Sequence, residues 1–169
     1  MTGEIDALRQ RYGEAYRWWV SGFGLCGSFA TVLSATIANV AVPDVMGAFG
    51  IGLDQGQWIA TAFVTAMTVS QLLNHWMVEA LGQRGAFVFI ILVFLLGSGI
   101  GWFAPNVDLL ILGRVLQGFA AGIMQPLVLV TMFSVFPPER RGVAMGIYGA
   151  GLLIAPGIGP AVGGLAIDA

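Results

Sequence analysis

The sequence predicts an all-α polytopic membrane protein, and three observations carry that prediction. Hydrophobic residues fill 57% of the 169 positions and charged residues only 9%, with a mean hydropathy of +0.86. A soluble domain carries about 25% charged residues, so too few charges exist here to cover an aqueous surface. Five segments are mostly apolar over the ~20 residues that cross a bilayer. Finally, the arginines gather on one side of the connections between those segments.

Residues 1–18 form a cytoplasmic tail. They mix acids with Arg9, Arg11 and Arg17 and lack the small-residue cleavage site of a signal peptide. Tyr16, Trp18 and Trp19 suit the headgroup level, so the tail is either a short interfacial helix or a solvated arm. Residues 19–169 form a partial N-terminal helix bundle with spans near 19–42, 57–78, 86–104, 107–136 and 142–166. The fourth is long enough that its ends project or the helix tilts.

The arginines orient this bundle. Arg84 falls between the second and third spans, and Arg140 and Arg141 between the fourth and fifth. The connections around Asp44–Gly56 and Pro105–Asn106 hold none. The positive-inside rule then places the N-terminus in the cytoplasm and Ala169 outside.

The seventh arginine, Arg114, lies inside the fourth span. It sits roughly 10 Å below the outer surface at ~1.5 Å per residue. An arginine at that depth costs at least ~2.5 kcal/mol on insertion scales, so it snorkels outward or faces the protein interior. Gln117 lies one turn further in on the same face, which favours an interior polar stripe.

Small residues mark the packing faces. The fourth span carries Gly118 and Gly122, a GxxxG. The fifth carries Gly151, Ala155, Gly159 and Gly163 at intervals of four. Such spacing lets helix backbones approach closely. In APGIGPAVGG, Pro156 and Pro160 each remove a backbone hydrogen bond. The stretch reads as a kinked membrane helix, because lipid hides no unsatisfied loop backbone.

The remaining residues exclude other classes. The lone His75 has no metal or nucleophile partner set, and Cys26 has no second cysteine. No acidic dyad, HExxH or nucleotide loop is present, so an enzyme, a metal centre and a cofactor site are not expected. With no lysine and only scattered arginines, nucleic acid is not an expected partner.

Four motifs resemble the major facilitator superfamily, specifically its fourteen-span drug:proton antiporters of the EmrB/QacA type. LSATIANVAVP, from Leu33 to Pro43, is similar to the family's LDxTxxNVALP. HWMVEALGQRG is loosely similar to GxLaDrxGrkr, with Glu79 in place of the Asp and with Gly82 and Arg84 in register. LILGRVLQGFAAG matches lxxxRxxqGxgaa at Arg114, Gln117 and Gly118. Gly159, Pro160, Gly163 and Gly164 match the antiporter motif of the fifth span.

The resemblance implies efflux of small amphipathic substrates, often cationic drugs, by proton antiport in a bacterial inner membrane. It assigns Arg114 and Gln117 to proton coupling or the cavity, and Asn39 and Ser34 to the same cavity. It makes Glu79, Gly82 and Arg84 a gate latch. The fifth-span glycines and prolines become a hinge and packing face. Its implied partners are the lipid bilayer, the remaining helices of a longer transporter and, in Gram-negative members, a periplasmic adaptor and an outer-membrane channel.

Ser34 departs from the pattern, because it stands where the family has its first-span acid. A facilitator or metabolite exporter without proton coupling is therefore a second expectation. Five spans are also too few for two six-helix halves, so the sequence reads as an N-terminal fragment. A chain that truly ended at Ala169 would be a membrane subunit or an inactive remnant.

Overall fold

The computed structural model describes residues 15–167, and every described element is helical. Residues 1–14, most of the expected tail with Arg9 and Arg11, lie outside the described residues. The helices are α1 (Ala15–Phe49), α2 (Leu53–Gln71), α3 (Asn74–Trp102), α4 (Val107–Val135) and α5 (Arg141–Ile167), with a short 3₁₀ turn at Pro138–Arg140 before α5. Helices satisfy their own backbone groups, which a lipid environment demands.

Four of these stretches, in α1, α3, α4 and the segment Pro138–Gly164, are long and apolar enough to cross a membrane. The helix α2 falls short on apolarity because it carries Asp54, Gln55, Gln57, Gln71 and a series of Thr and Ser. Two of its hydroxyls donate within the helix: Thr68 to the Val64 carbonyl at 2.9 Å and Ser70 to the Met67 carbonyl at 3.0 Å.

The helix ends follow from local chemistry. Gly50 at the end of α1 has φ +63°, and the Ile51 amide donates back to the Met46 carbonyl at 3.1 Å. That is the Schellman stop, which glycine enters without a Cβ penalty. Asn106 caps α4, its side-chain oxygen accepting from the Leu109 amide at 2.9 Å. Asp108 lies in the first turn of that helix, where the dipole favours an acid.

Two boundaries differ from the sequence expectation. The first helix extends beyond 19–42 at both ends, so Asp44 is helical rather than in a loop. The connection expected at residues 79–85, between the second and third spans, is helical apart from Gly82. After Gln71 the chain only tightens: Leu72 and Leu73 donate to the carbonyls of Val69 and Ser70, three residues back. Helical runs 74–81 and 83–102 then meet at Gly82, whose φ of 69° and ψ of 166° suit glycine alone. The polar residues of the expected loop thus sit on helix ends around one glycine.

Helix α4 is the centre of the bundle. Ile123, Met124, Leu127 and Met132 are fully buried along it, beside Ile90 of α3. Glycine contacts set the helix directions. A side chain at Gly118 would strike the Phe63 backbone, and one at Gly122 the Met67 backbone, so α2 runs parallel to α4. Gly97 and Gly113 meet backbone to backbone, which sets α3 antiparallel to α4. Gly151, Gly159 and Gly163 face Leu25, Thr36 and Ile37 in turn, which lays α5 parallel to α1.

Lipid is as apolar as leucine, so close approach and dispersion hold such helices together rather than exclusion from water. Apolar side chains such as Val88, Leu92, Leu95 and Leu96 of α3 accordingly stay exposed. Tryptophan marks the level at which α1 begins: Trp18 meets Phe136, at the end of α4, edge-on at 5.8 Å.

Candidate functional site

Arg114 is buried, with 6% of its surface exposed. Its position on α4 between Gly113 and Gly118 lets α2 and α3 close over it. One guanidinium nitrogen, Nη1, donates to Gln117 Oε1 at 2.7 Å and reaches Ser34 Oγ of α1 at 3.4 Å. Gln117 Nε2 donates to Ser98 Oγ of α3 at 2.8 Å, and Ser98 Oγ donates to the Phe94 carbonyl at 2.9 Å. The guanidinium also stacks over the Phe63 ring of α2 at 4.5 Å, a cation–π contact. Four helices therefore converge on one arginine. Among the described residues its Nε has no hydrogen-bond partner.

Beside this network a cleft of about 210 Å³ runs between α1, α2 and α4. Val32, Ala35, Phe63, Val64 and Met67 give it apolar walls, and Asn39, Arg114 and Gln125 add polar groups. At its far end Tyr148 of α5 donates to Gln125 Oε1 at 2.6 Å and lies 3.3 Å from the Gln125 carbonyl. Arg114, Ala121 and Gln125 share one face of α4, because seven and eleven residues are close to two and three helical turns.

The structure brings Arg114, Gln117 and Ser34 into direct contact and places Asn39 on the same cleft, where it is exposed. Glu79 and Arg84 are exposed on either side of Gly82. Glu79 Oε2 faces His75 Nε2 at 3.9 Å, one helical turn away.

The fifth-helix residues separate into two groups. Ala155, Gly159 and Gly163 are buried, and Gly159 packs on Thr36. Pro156 and Pro160 are exposed, and a side chain at Gly164 would meet nothing. The whole stretch is helical, not a loop.

Phe63, Ser98, Gln125 and Tyr148 escaped the sequence reading. Gln125 carried a usable signal, a polar residue in an apolar span on the face of Arg114. Ser98 and Phe63 become visible only through the partners that folding brings them.

A glycine-laced bundle of apolar helices, with a buried polar network opening on an apolar cleft, defines a multi-pass membrane protein of the transporter type. The chain belongs to the Major Facilitator Superfamily, whose family profile matches residues 24–169. That superfamily consists of transporters rather than enzymes.

The chain is 36% identical over 144 residues to the uncharacterized MFS-type transporter YhcA of Bacillus subtilis, covering 85% of this chain and 27% of that protein. It is 36% identical over 152 residues to the fatty acid resistance protein FarB of Neisseria gonorrhoeae, covering 90% of this chain and 30% of FarB. It is 33% identical over 141 residues to the multidrug export protein EmrB of Escherichia coli K12, covering 83% of this chain and 28% of EmrB. The chain thus spans under a third of the length of these curated relatives.

Proposed function

We propose that this chain contributes the first five spans of a secondary active exporter that moves hydrophobic or amphipathic compounds out of the cell in exchange for protons entering down their gradient. The observation that carries the reading is the Arg114–Gln117–Ser98 network, buried at the wall of an apolar cleft. A membrane helix accommodates an arginine at that depth where it serves a pathway or a coupling site. The relatives named for multidrug export and fatty acid resistance support the same reading.

In this proposal the five helices cross an inner membrane from a cytoplasmic N-terminus, with α2 as the second span despite its polar residues. Asn39 and Ser34 line the substrate cavity. Glu79, Gly82 and Arg84 latch the cytoplasmic gate. Gly151, Ala155, Gly159 and Gly163 form the sliding face against α1, and Pro156, Pro160 and Gly164 let α5 bend. Helices outside this chain complete the cavity, and in a Gram-negative cell a periplasmic adaptor and an outer-membrane channel receive the substrate.

One observation favours a second reading. Ser34 offers Arg114 a hydroxyl where the antiporter motif has an acid, and no carboxylate among the described residues pairs with Arg114. A facilitator or metabolite exporter without proton coupling fits that site. Efflux of a preloaded fluorescent amphiphile, with and without a protonophore, separates the two. Efflux that collapses with the gradient is expected. Efflux that follows only the substrate gradient supports the facilitator, and no efflux in either condition contradicts transport.

A further inference from the structure

The cleft has a second polar end, about 16 Å along α4 from Arg114. There Gln125 lines the cleft, and Tyr148 reaches it from α5. The Tyr148 ring is buried, 8% exposed, among Met124, Leu127 and Val128 of α4, so packing fixes where its hydroxyl points. That hydroxyl lies 2.6 Å from Gln125 Oε1 and 3.3 Å from the Gln125 main-chain carbonyl. An amide oxygen cannot donate, so the phenol proton lies on the shorter of the two lines. A separation of 2.6 Å suits O–H···O, whereas N–H···O bonds centre near ~2.9 Å. One contact thus sets which way round the Gln125 amide sits. Its oxygen is held by α5, and the group it offers the cleft is the NH2, which donates and does not accept. Val32 of α1 and Met67 of α2 supply apolar wall to the same cleft, and in such surroundings one oriented donor discriminates strongly between cargoes.

We propose that Gln125 is a specificity-determining residue and that Tyr148 is the residue that positions it. The cleft prefers cargo carrying a hydrogen-bond acceptor, such as a carbonyl or ether oxygen, over cargo of the same shape carrying only a donor. A donor-only cargo sets N–H against N–H and leaves both groups desolvated and unpaired. This inference rests on the exporter reading and names a selection that the reading leaves open.

The test uses the intact natural protein in an efflux-deficient bacterium. Two neutral probes share a decyl tail and a five-membered ring: N-decylpyrrolidone, whose carbonyl only accepts, and a C-decylpyrrole, whose N–H only donates. Initial efflux from preloaded cells is read by mass spectrometry of the medium over a range of loading, which separates apparent KM from maximal rate. The wild type is expected to show an apparent KM about fivefold lower for the pyrrolidone, the worth of one neutral hydrogen bond. Tyr148→Phe keeps the ring and frees the amide to turn. It is expected to bring the two KM values within about twofold at undiminished maximal rates. Gln125→Met keeps the side-chain length, removes the N–H and is expected to abolish the preference. Immunoblots of the membrane fraction establish that each variant is inserted.

A merely structural Tyr148 would lower the maximal rates of both probes and leave their KM ratio at the wild-type value, and that result overturns the inference. Equal KM values in the wild type, a preference for the pyrrole, or a preference that survives in inserted Gln125→Met also overturn it while leaving the exporter reading in place. Efflux of neither probe by the wild type contradicts the exporter reading itself.

Discussion

At the scale of single residues, Gln117 is the joint of the site. Its amide oxygen accepts from Arg114 while its amide nitrogen donates to Ser98. It thus fixes which way the guanidinium points and ties α4 to α3. Leucine fills nearly the same volume and can do neither. A hydrogen bond to a charged group contributes ~1.5–3 kcal/mol. Gln117→Leu is therefore expected to slow substrate efflux at least about tenfold at unchanged membrane abundance, checked by initial efflux rates against an immunoblot. An unaltered rate would remove Gln117 from the site. Arg114 and Gln117 were legible in the sequence because polarity inside an apolar span is itself the signal. Ser98 and Phe63 were not, since a serine or phenylalanine in a membrane helix is unremarkable until its partner is known.

At the scale of helices, the glycines explain why α4 is the axis. Gly118 and Gly122 let the α2 backbone approach so closely that a side chain at either position would enter the Phe63 or Met67 carbonyl. Overfilling a packed contact costs ~1–3 kcal/mol or more. Gly122→Leu is expected to lower the thermal unfolding midpoint of the purified protein by several degrees or prevent its insertion. Gly164→Ala, where a side chain meets open space, is expected to leave the midpoint within error. A reversed order would contradict the parallel α2–α4 contact.

The four-residue spacing made these packing faces readable, but not their partners. Spacing alone does not say that Gly159 rests on Thr36 while Gly118 rests on α2. Helix ends were the least legible feature. The stretch 79–85 was expected to be a loop, whereas tightened hydrogen bonds at Leu72–Leu73 and one positive-φ glycine at Gly82 make the turn. The motif containing Gly82 marked the right residue without revealing how short the turn is.

At the scale of the whole molecule, the exposed apolar surface and the arginine distribution describe one arrangement in a bilayer. Trp18 of α1 and Phe136 at the end of α4 share a level, while Arg84 lies two residues past Gly82 in α3 and Arg140 and Arg141 stand at the start of α5. Single cysteines introduced at Gln83 and Asn106, in a background with Cys26 replaced, are expected to label from opposite sides with a membrane-impermeant thiol reagent. Asn106 should react in intact cells and Gln83 only after permeabilisation. Labelling of both from outside would contradict the proposed topology.

The central claim is that Arg114 serves transport and is not merely tolerated at its depth. The most direct measurement is energised efflux of an amphiphile by the intact protein carrying Arg114→Ala or Arg114→Lys, at matched membrane abundance. The account predicts no efflux for the alanine variant and partial efflux for the lysine variant, which keeps the charge and loses the planar fork. Wild-type efflux by Arg114→Ala would contradict it.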